Sequence, residues 1–383
     1  MATAEVTTER PGSPEEAAEL LRSLGEEGRP VRPRGGGTKP WGPSGDGVDL
    51  ETGGLARILE HNVGDFTAVL EAGVPMAEAQ AAFAGEQQML AVDPALGADG
   101  NGAGATIGGV MAANDSGPLR HRYGGMRDLV VGMTVALSDG TLARSGGKVI
   151  KNVAGYDLAK LLTGSYGTLG LIVRVAVRLH PLPDGTATVA GATDDPDRLG
   201  AAAAALAGQP LEADCLDVDW RDGAGRLLLR FGGAAAGHQA GVAAERAGAA
   251  GLEGVETIAD DDELWMRQRV HQRVQSPQDT CVVKVAGRIM DLPAVVRATT
   301  EAGGTLVGRA GLGVSWLTVP ADSVGTLRDA LAPRACTILD APEALRADAW
   351  PSPEPGALRL MARVKERFDP ARIFRPGTFV GGI

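Results

Sequence analysis

Runs of apolar and polar residues divide this chain into elements before any chemistry is considered. Ser13-Pro14-Glu15-Glu16 offers a capping hydroxyl, a proline for the first turn and a glutamate three residues after the cap. Ala17, Leu20, Leu21 and Leu24 then share one face, so a helix is predicted from Pro14, with Gly25 as its stop. A short strand through Val31 runs into Arg34-Gly35-Gly36-Gly37-Thr38, and residues 66–72 read as a strand leading to a helix from Pro75 through Phe83. From Asp128 the period becomes two: Leu129, Val131, Met133, Val135 and Leu137 alternate with smaller residues, and Asp139-Gly140 turns the chain into a return strand over 141–144. Val173, Val175, Val177 and Leu179 alternate with Arg174, Ala176, Arg178 and His180, which describes a half-buried strand. Pro181 and Pro183 end it and mark the clearest domain boundary.

Beyond Pro183 helices and strands alternate. An Ala-rich helix over 201–207 precedes strands at 216–220 and 227–231, joined at Asp222-Gly223, and a helix through Glu245 and Arg246. Then come strand 281–286, helix 292–302, strand 314–319, helix 324–331 and strand 336–339. Antiparallel strands backed by helices give an α+β class. The expected layout is a first domain over 1–183, a smaller α+β cap over 184–350, and a tail over 351–383. In that tail a basic amphipathic helix (361–368), ended by Asp369-Pro370, packs back on the first domain.

Composition narrows the possibilities. A formal net charge of −11 with no basic face argues against nucleic acid as a partner. Cys215, Cys281 and Cys336 are far apart and form no CxxC pair, which excludes a locally held metal or iron–sulfur site and fits a reducing compartment. Met1 to Arg10 lacks the apolar core of a signal peptide, and no run reaches the roughly 20 apolar residues of a membrane span. The expectation is a cytoplasmic protein, with any attachment to the inner face of the membrane made through a partner. The 55 glycines follow no collagen-like period and point to tight turns and close backbone approaches.

Two glycine-rich stretches carry the candidate chemistry. In Arg34-Gly35-Gly36-Gly37-Thr38, successive N–H groups can turn toward one point without Cβ obstruction, as a pyrophosphate requires. Arg34 and Lys39 stand ready to balance charge, although a plain turning loop would read the same way. The second stretch, residues 100–117, holds Gly102 and Gly104 but places Ile107 at the third glycine of a GxGxxG pattern. It follows Asp93-Pro94 rather than a buried strand, so a dinucleotide-binding βαβ unit is not expected.

Together these stretches resemble the FAD-binding domain of the vanillyl-alcohol oxidase, or p-cresol methylhydroxylase, type. The resemblance continues through Tyr123-Gly124-Gly125-Met126-Arg127-Asp128, Ser138-Asp139-Gly140 and Gly164-Ser165-Tyr166-Gly167-Thr168-Leu169-Gly170-Leu171-Ile172. It covers roughly residues 30–183, and Phe368-Asp369-Pro370 with Arg375-Pro376-Gly377 is similar to that family's ending. Lys148-Val149-Ile150-Lys151-Asn152-Val153-Ala154-Gly155-Tyr156-Asp157 most resembles the FAD-binding E subunits of glycolate oxidases. By this resemblance Arg34, Gly35, Gly36, Gly37 and Thr38 take the diphosphate. Thr106, Ile107, Gly108 and Gly109, then Asn114, Ser116 and Gly117, run along the ribityl chain and flavin. Ile172 meets the adenine or ribityl end, and Pro94, Tyr123, Gly167 and Gly170 complete the set. Members with a covalent flavin carry a histidine where this chain has Thr38, and no cysteine precedes Cys215, so the resemblance implies non-covalent FAD. Tyr166 stands where related dehydrogenases often have Glu.

Catalytic residues are less legible. Lys151 and Arg127 are the candidates for a cation at the flavin edge, and each also reads as ordinary surface charge. Trp41 either flanks the cofactor or fills core, while Met111 and Met126 read as packing. His180 reads as a strand-end residue, and His271, near Arg267, Arg269 and Arg273, as a solvated face or a carboxylate contact. Neither they nor His61, His121 and His238 form a local metal-binding pair. The resemblance implies an FAD-dependent oxidoreductase subunit acting on a small 2-hydroxy acid beside a second flavoprotein subunit and an iron–sulfur subunit. Two alternatives stay open: a self-sufficient FAD-linked D-2-hydroxyacid dehydrogenase, and a non-catalytic assembly subunit that keeps flavin for structure.

Overall fold

The computed structural model describes residues 6–39, 47–97, 104–147, 157–273 and 278–383. Trp41 and the segment containing Lys148 and Lys151 lie outside them.

The first helix, Pro14–Glu26, is capped as the sequence predicts: Ser13 Oγ accepts from the Glu16 N–H at 3.1 Å. Its buried Ala17, Leu21 and Leu24 pack with Val31, Val48, Leu50 and Phe374. Beneath it lies a parallel three-stranded sheet, ordered Val6–Glu9, Gly47–Glu51, Val31–Arg34. Two of these strands lacked any alternation to announce them. Pro33 is tolerated because its strand is at the sheet edge, where a missing N–H breaks no ladder.

A five-stranded antiparallel sheet follows, ordered Ile58–Asn62, Thr67–Glu71, Leu171–Arg178, Val130–Ala136, Leu142–Gly146. The period-two segments and the Asp139-Gly140 hairpin thus form where alternation placed them. Pairing does not stop at the prolines, since His180–Pro181 forms a short ladder with Gln88–Met89. The helices Met76–Ala84 and Ile107–Ala113 cover one face, sharing a core of Leu70, Phe83, Ile107, Met111 and Val175.

From Thr186 the chain builds an eight-stranded antiparallel sheet, ordered Glu253–Ile258, Thr186–Thr193, Ala224–Gly232, Cys215–Arg221, Thr305–Arg309, Val314–Pro320, Thr280–Ala286, Ala335–Asp340. Three of these strands escape a reading by alternation, because small or charged residues dilute their apolar face. Helices Pro196–Ala207, Ala236–Ala249, Leu292–Glu301 and Val324–Leu331 pack one face, where Ala202, Ala203, Ala240 and Ala243 allow close approach. The other face carries Cys215, Leu228, Val282 and Trp316 beside charged residues, and the helix Asp262–Val270 packs there through Leu264 and Trp265.

The last helix, Pro355–Phe368, returns to the first sheets. Buried Lys365 donates to Thr168 O at 2.7 Å, Phe374 O at 2.6 Å and Asp369 Oδ2 at 2.7 Å. Beyond it Phe374 bridges Val31, in parallel sense. No helix among the described residues is long and apolar enough to cross a membrane.

Candidate functional site

Residues 35–38 and Thr106, Gly108 and Gly109, from the two glycine-rich stretches, face one cavity of ≈ 440 Å³, walled on its far side by Tyr166, Gly167, Gly170, Leu171 and Ile172. The size falls within the range of pre-formed cofactor sites. The two loops touch through their backbones: a Cβ at Gly36 would collide with the Gly104 carbonyl. Gly37 has φ 69, a left-handed conformation that admits glycine without steric cost. Among the described residues, no protein acceptor meets the N–H groups of residues 35–39. These five residues line one cavity wall, and a run of amides without an acceptor among the described residues suits a dianionic phosphate.

The second loop works differently from the expectation. Ile107 N–H donates to Val74 O at 3.0 Å, Gly108 N–H to Ala72 O at 2.8 Å and Gly109 N–H to Thr106 Oγ1 at 3.2 Å. Thr106 is therefore the N-cap of the Ile107–Ala113 helix, and Ile107 is fully buried in the core. These groups shape the wall. The amides left for an anion belong to the first loop.

Charge is arranged around this loop. Arg32 Nε and Arg34 Nη1 donate to the two oxygens of one carboxylate, Asp49, at 2.6 and 2.5 Å. Against the upward push of burial, these two guanidinium groups hold Asp49 below the usual carboxylate range. Lys39 pairs with buried Asp115 at 2.9 Å, so its charge is matched by protein rather than left for a phosphate. Burial, then the field of Asp115, pushes the Tyr166 hydroxyl well above its ordinary value. No histidine or cysteine is among the described residues lining the cavity.

Other expected residues lie elsewhere. Asn114 caps the Ile107–Ala113 helix with φ 48, and its buried Oδ1 meets no hydrogen-bond partner among the described residues. Ser116 is buried and its Oγ accepts from Arg120 Nη1 at 3.2 Å, while Gly117 abuts the Asp93 carbonyl beside buried Pro94. Tyr123 stacks edge-on against His180, centroids 4.8 Å apart, and its hydroxyl reaches Asp214 at 3.5 Å. Arg127 is exposed on the short helix Met126–Leu129 and does not line the cavity. His271 Nδ1 meets Arg221 Nη2 at 2.9 Å, and no group of His, Cys, Asp and Glu among the described residues could hold a metal. Arg346 and Arg375, from the end of the chain, also line the cavity. Arg375 stands in the Arg375-Pro376-Gly377 ending noted in the sequence, but no local pattern gave it a place in the cavity and none marked Arg346, because only folding carries them there.

The polar face of the eight-stranded sheet meets these segments along a buried seam. Arg122 approaches Asp214 at 3.4 Å and Arg269 approaches Asp93 at 3.8 Å. Arg309 pairs with Asp217 at 2.6 Å, both fully buried, and turning the Gln272 amide joins Arg309 to Ser116 O. Burial, then the Arg120 guanidinium, pushes the half-buried Lys284 ammonium below its ordinary value.

Comparison with known proteins agrees with the cavity. Residues 8–146 match the FAD binding domain family. An uncharacterized FAD-linked oxidoreductase of Mycobacterium tuberculosis (strain ATCC 25618 / H37Rv) is 33% identical over 211 residues, 54% of this chain and 45% of that one. Glycolate oxidase subunit GlcE of Escherichia coli (strain K12) is 36% identical over 126 residues, 33% of this chain and 35% of that one. The chain thus spans less than half the length of these matched relatives. Among solved structures, alkyldihydroxyacetonephosphate synthase superposes with a TM-score of 0.72 at 14% identity, covering 96% of this chain and 76% of that one. A slot shared by two glycine loops, with free amides on one side, fits the diphosphate of that cofactor: the chain has the α+β FAD-binding fold of the p-cresol methylhydroxylase type, and its residues 8–146 match the FAD binding domain family.

Proposed function

We propose that this chain is the non-covalent FAD-binding subunit of a 2-hydroxy acid dehydrogenase of the glycolate oxidase type. Its partners would be a second flavoprotein subunit and an iron–sulfur subunit, all in the cytoplasm. The observation that carries this is the single cavity shared by residues 35–38 and by Thr106, Gly108 and Gly109, together with the similarity to glycolate oxidase subunit GlcE. Bound FAD would supply the two-electron acceptor. The amides of 35–39 would hold its diphosphate, and the wall from Tyr166 to Ile172 would exclude water along its length. Thr38, with no histidine or cysteine among the described lining residues, supports a non-covalent site. Lys284 and Arg120 would favour an anionic substrate at the seam, as desolvated cations do. We take the cofactor domain to be 1–183, the cap 184–350 and the returning tail 351–383, in keeping with the change of sheet at Thr186.

The purified chain should be yellow, and acid precipitation should release all flavin to the supernatant; flavin retained in the pellet would overturn the non-covalent assignment. Glycolate should bleach the assembled complex quickly and the isolated chain slowly. Rapid full bleaching of the isolated chain would instead identify a self-sufficient dehydrogenase.

A further inference from the structure

A buried chain of polar contacts runs from the FAD cavity into the middle of the eight-stranded sheet. It starts at Lys39, which lines the cavity and pairs with Asp115 at 2.9 Å. The other oxygen of that carboxylate, Oδ1, accepts from the Ser116 N–H at 3.1 Å. Ser116 O accepts from Gln272 Nε2 at 2.8 Å, and Gln272 Oε1 accepts from Arg309 Nη2. Arg309 Nη1 donates to Asp217 Oδ2 at 2.6 Å, and its guanidinium lies over the Trp316 ring, 4.8 Å from the centroid. Gln272, Arg309 and Asp217 are fully buried, and Ser116 is nearly so. A polar group in such a place costs stability when its partner leaves, so each link constrains the next.

Gln272 is where this chain crosses from one part of the molecule to the other. Ser116 follows the helix Ile107–Ala113 of the cofactor segments, whereas Arg309 ends the strand Thr305–Arg309 of the eight-stranded sheet. A carbonyl meets the Gln272 side chain on one side and a guanidinium on the other. The position therefore asks for a group that donates at one end and accepts at the other, which a side-chain amide does. A carboxylate there has no proton for Ser116 O, and an apolar side chain has neither function. The next residue, Arg273, pairs with Asp340 at 2.6 Å and ties the same turn to the edge strand Ala335–Asp340. Gln272 is not among the described residues that line the cavity, so any effect it has on the cofactor must pass through its partners.

We propose that Gln272 is a positioning residue that couples the eight-stranded sheet to the cofactor loop, so that bound FAD and a docked sheet stabilise each other. The inference rests on the FAD reading and adds a regulation of that site. A diphosphate on the amides of 35–39 fixes the loop that bears Lys39, and Lys39 in turn fixes Asp115 and Ser116. Gln272 passes the position of Ser116 on to Arg309 and Asp217. By linkage, the factor by which docking raises FAD affinity is the factor by which FAD favours docking.

The test uses the full-length chain, stripped of flavin and titrated with FAD, alongside Q272L and Q272E. Amide hydrogen exchange is followed in the strands Cys215–Arg221 and Thr305–Arg309, which carry Asp217 and Arg309. In wild type, saturating FAD should slow exchange there about fivefold or more, the lower end of ordinary coupling between sites. Both variants should bind FAD about fivefold or more weakly, and saturating FAD should not slow exchange in their strands. Q272E keeps the size of the side chain and the contact with Arg309, so it carries the test should Q272L not fold. Wild-type strands that exchange at the same rate with and without FAD would overturn the coupling. Variants that bind FAD within twofold of wild type would do the same. Weakened variants in which FAD still slows exchange as in wild type would make Gln272 structural and also overturn the proposal. A wild-type chain unable to bind FAD would remove the underlying reading itself.

Discussion

Single residues at the cavity are chosen more by the neighbouring loop than by the ligand. Gly36 has no room for a Cβ because the Gly104 carbonyl occupies it. G36V must therefore separate the two loops, and overpacking of this kind costs about 1–3 kcal/mol. FAD affinity, measured by flavin fluorescence, should fall roughly tenfold or more; an unchanged affinity would remove the cradle. Thr106 and Lys39 show the limit of reading residue types in isolation. The hydroxyl is spent as a helix cap and the ammonium on Asp115, so neither is left for a phosphate.

At the scale of elements, the returning helix holds the cofactor wall in place. Lys365 is buried, yet all three of its protons are used, on Thr168 O, Asp369 Oδ2 and Phe374 O. It thereby ties helix Pro355–Phe368 to the turn before Leu171–Arg178 and to the segment leading to Arg375. K365M would leave the buried Asp369 carboxylate without its cation, held only by the Ile373 and Phe374 N–H groups, and would take a donor from two carbonyls; breaking such a buried pair costs about 3–5 kcal/mol. Denaturant unfolding should show that loss. A change below about 0.5 kcal/mol, the ordinary surface value, would refute the tie.

Across the whole molecule, the seam between the cofactor segments and the eight-stranded sheet is polar and titratable. Burial pushes Asp217 up to about 7, against the pull of Arg309 and with added push from Asp93. Asp93 itself is pushed up to about 6 by burial, opposed by Arg269. A carboxyl raised in the folded state contributes stability that is complete below its unfolded value of 3.8 and is lost as pH rises toward about 7. The melting temperature of wild type relative to D217N should therefore fall between pH 5 and pH 8, in about that order of magnitude of proton linkage. A difference that is flat or rises over that interval would contradict the assignment.

Local pattern alone was enough to determine the capped first helix, the hairpin at Asp139-Gly140, the period-two strands and the two glycine loops as phosphate candidates. Each is settled by residues close together in the chain, through caps, turn geometry and alternation. The strands Thr186–Thr193 and Thr305–Arg309 became strands only through their partners, because their own residues carry too little apolar contrast. Which amides stay free, which cations are neutralised and which arginines reach the cavity were decided only in three dimensions. Val74, Ala72, Asp115 and Val31 are the partners that decide them, and they come from other strands and loops. Hydrogen-bond and ion-pair satisfaction belongs to the fold as a whole, so a short stretch of sequence can offer donors but cannot say who accepts them.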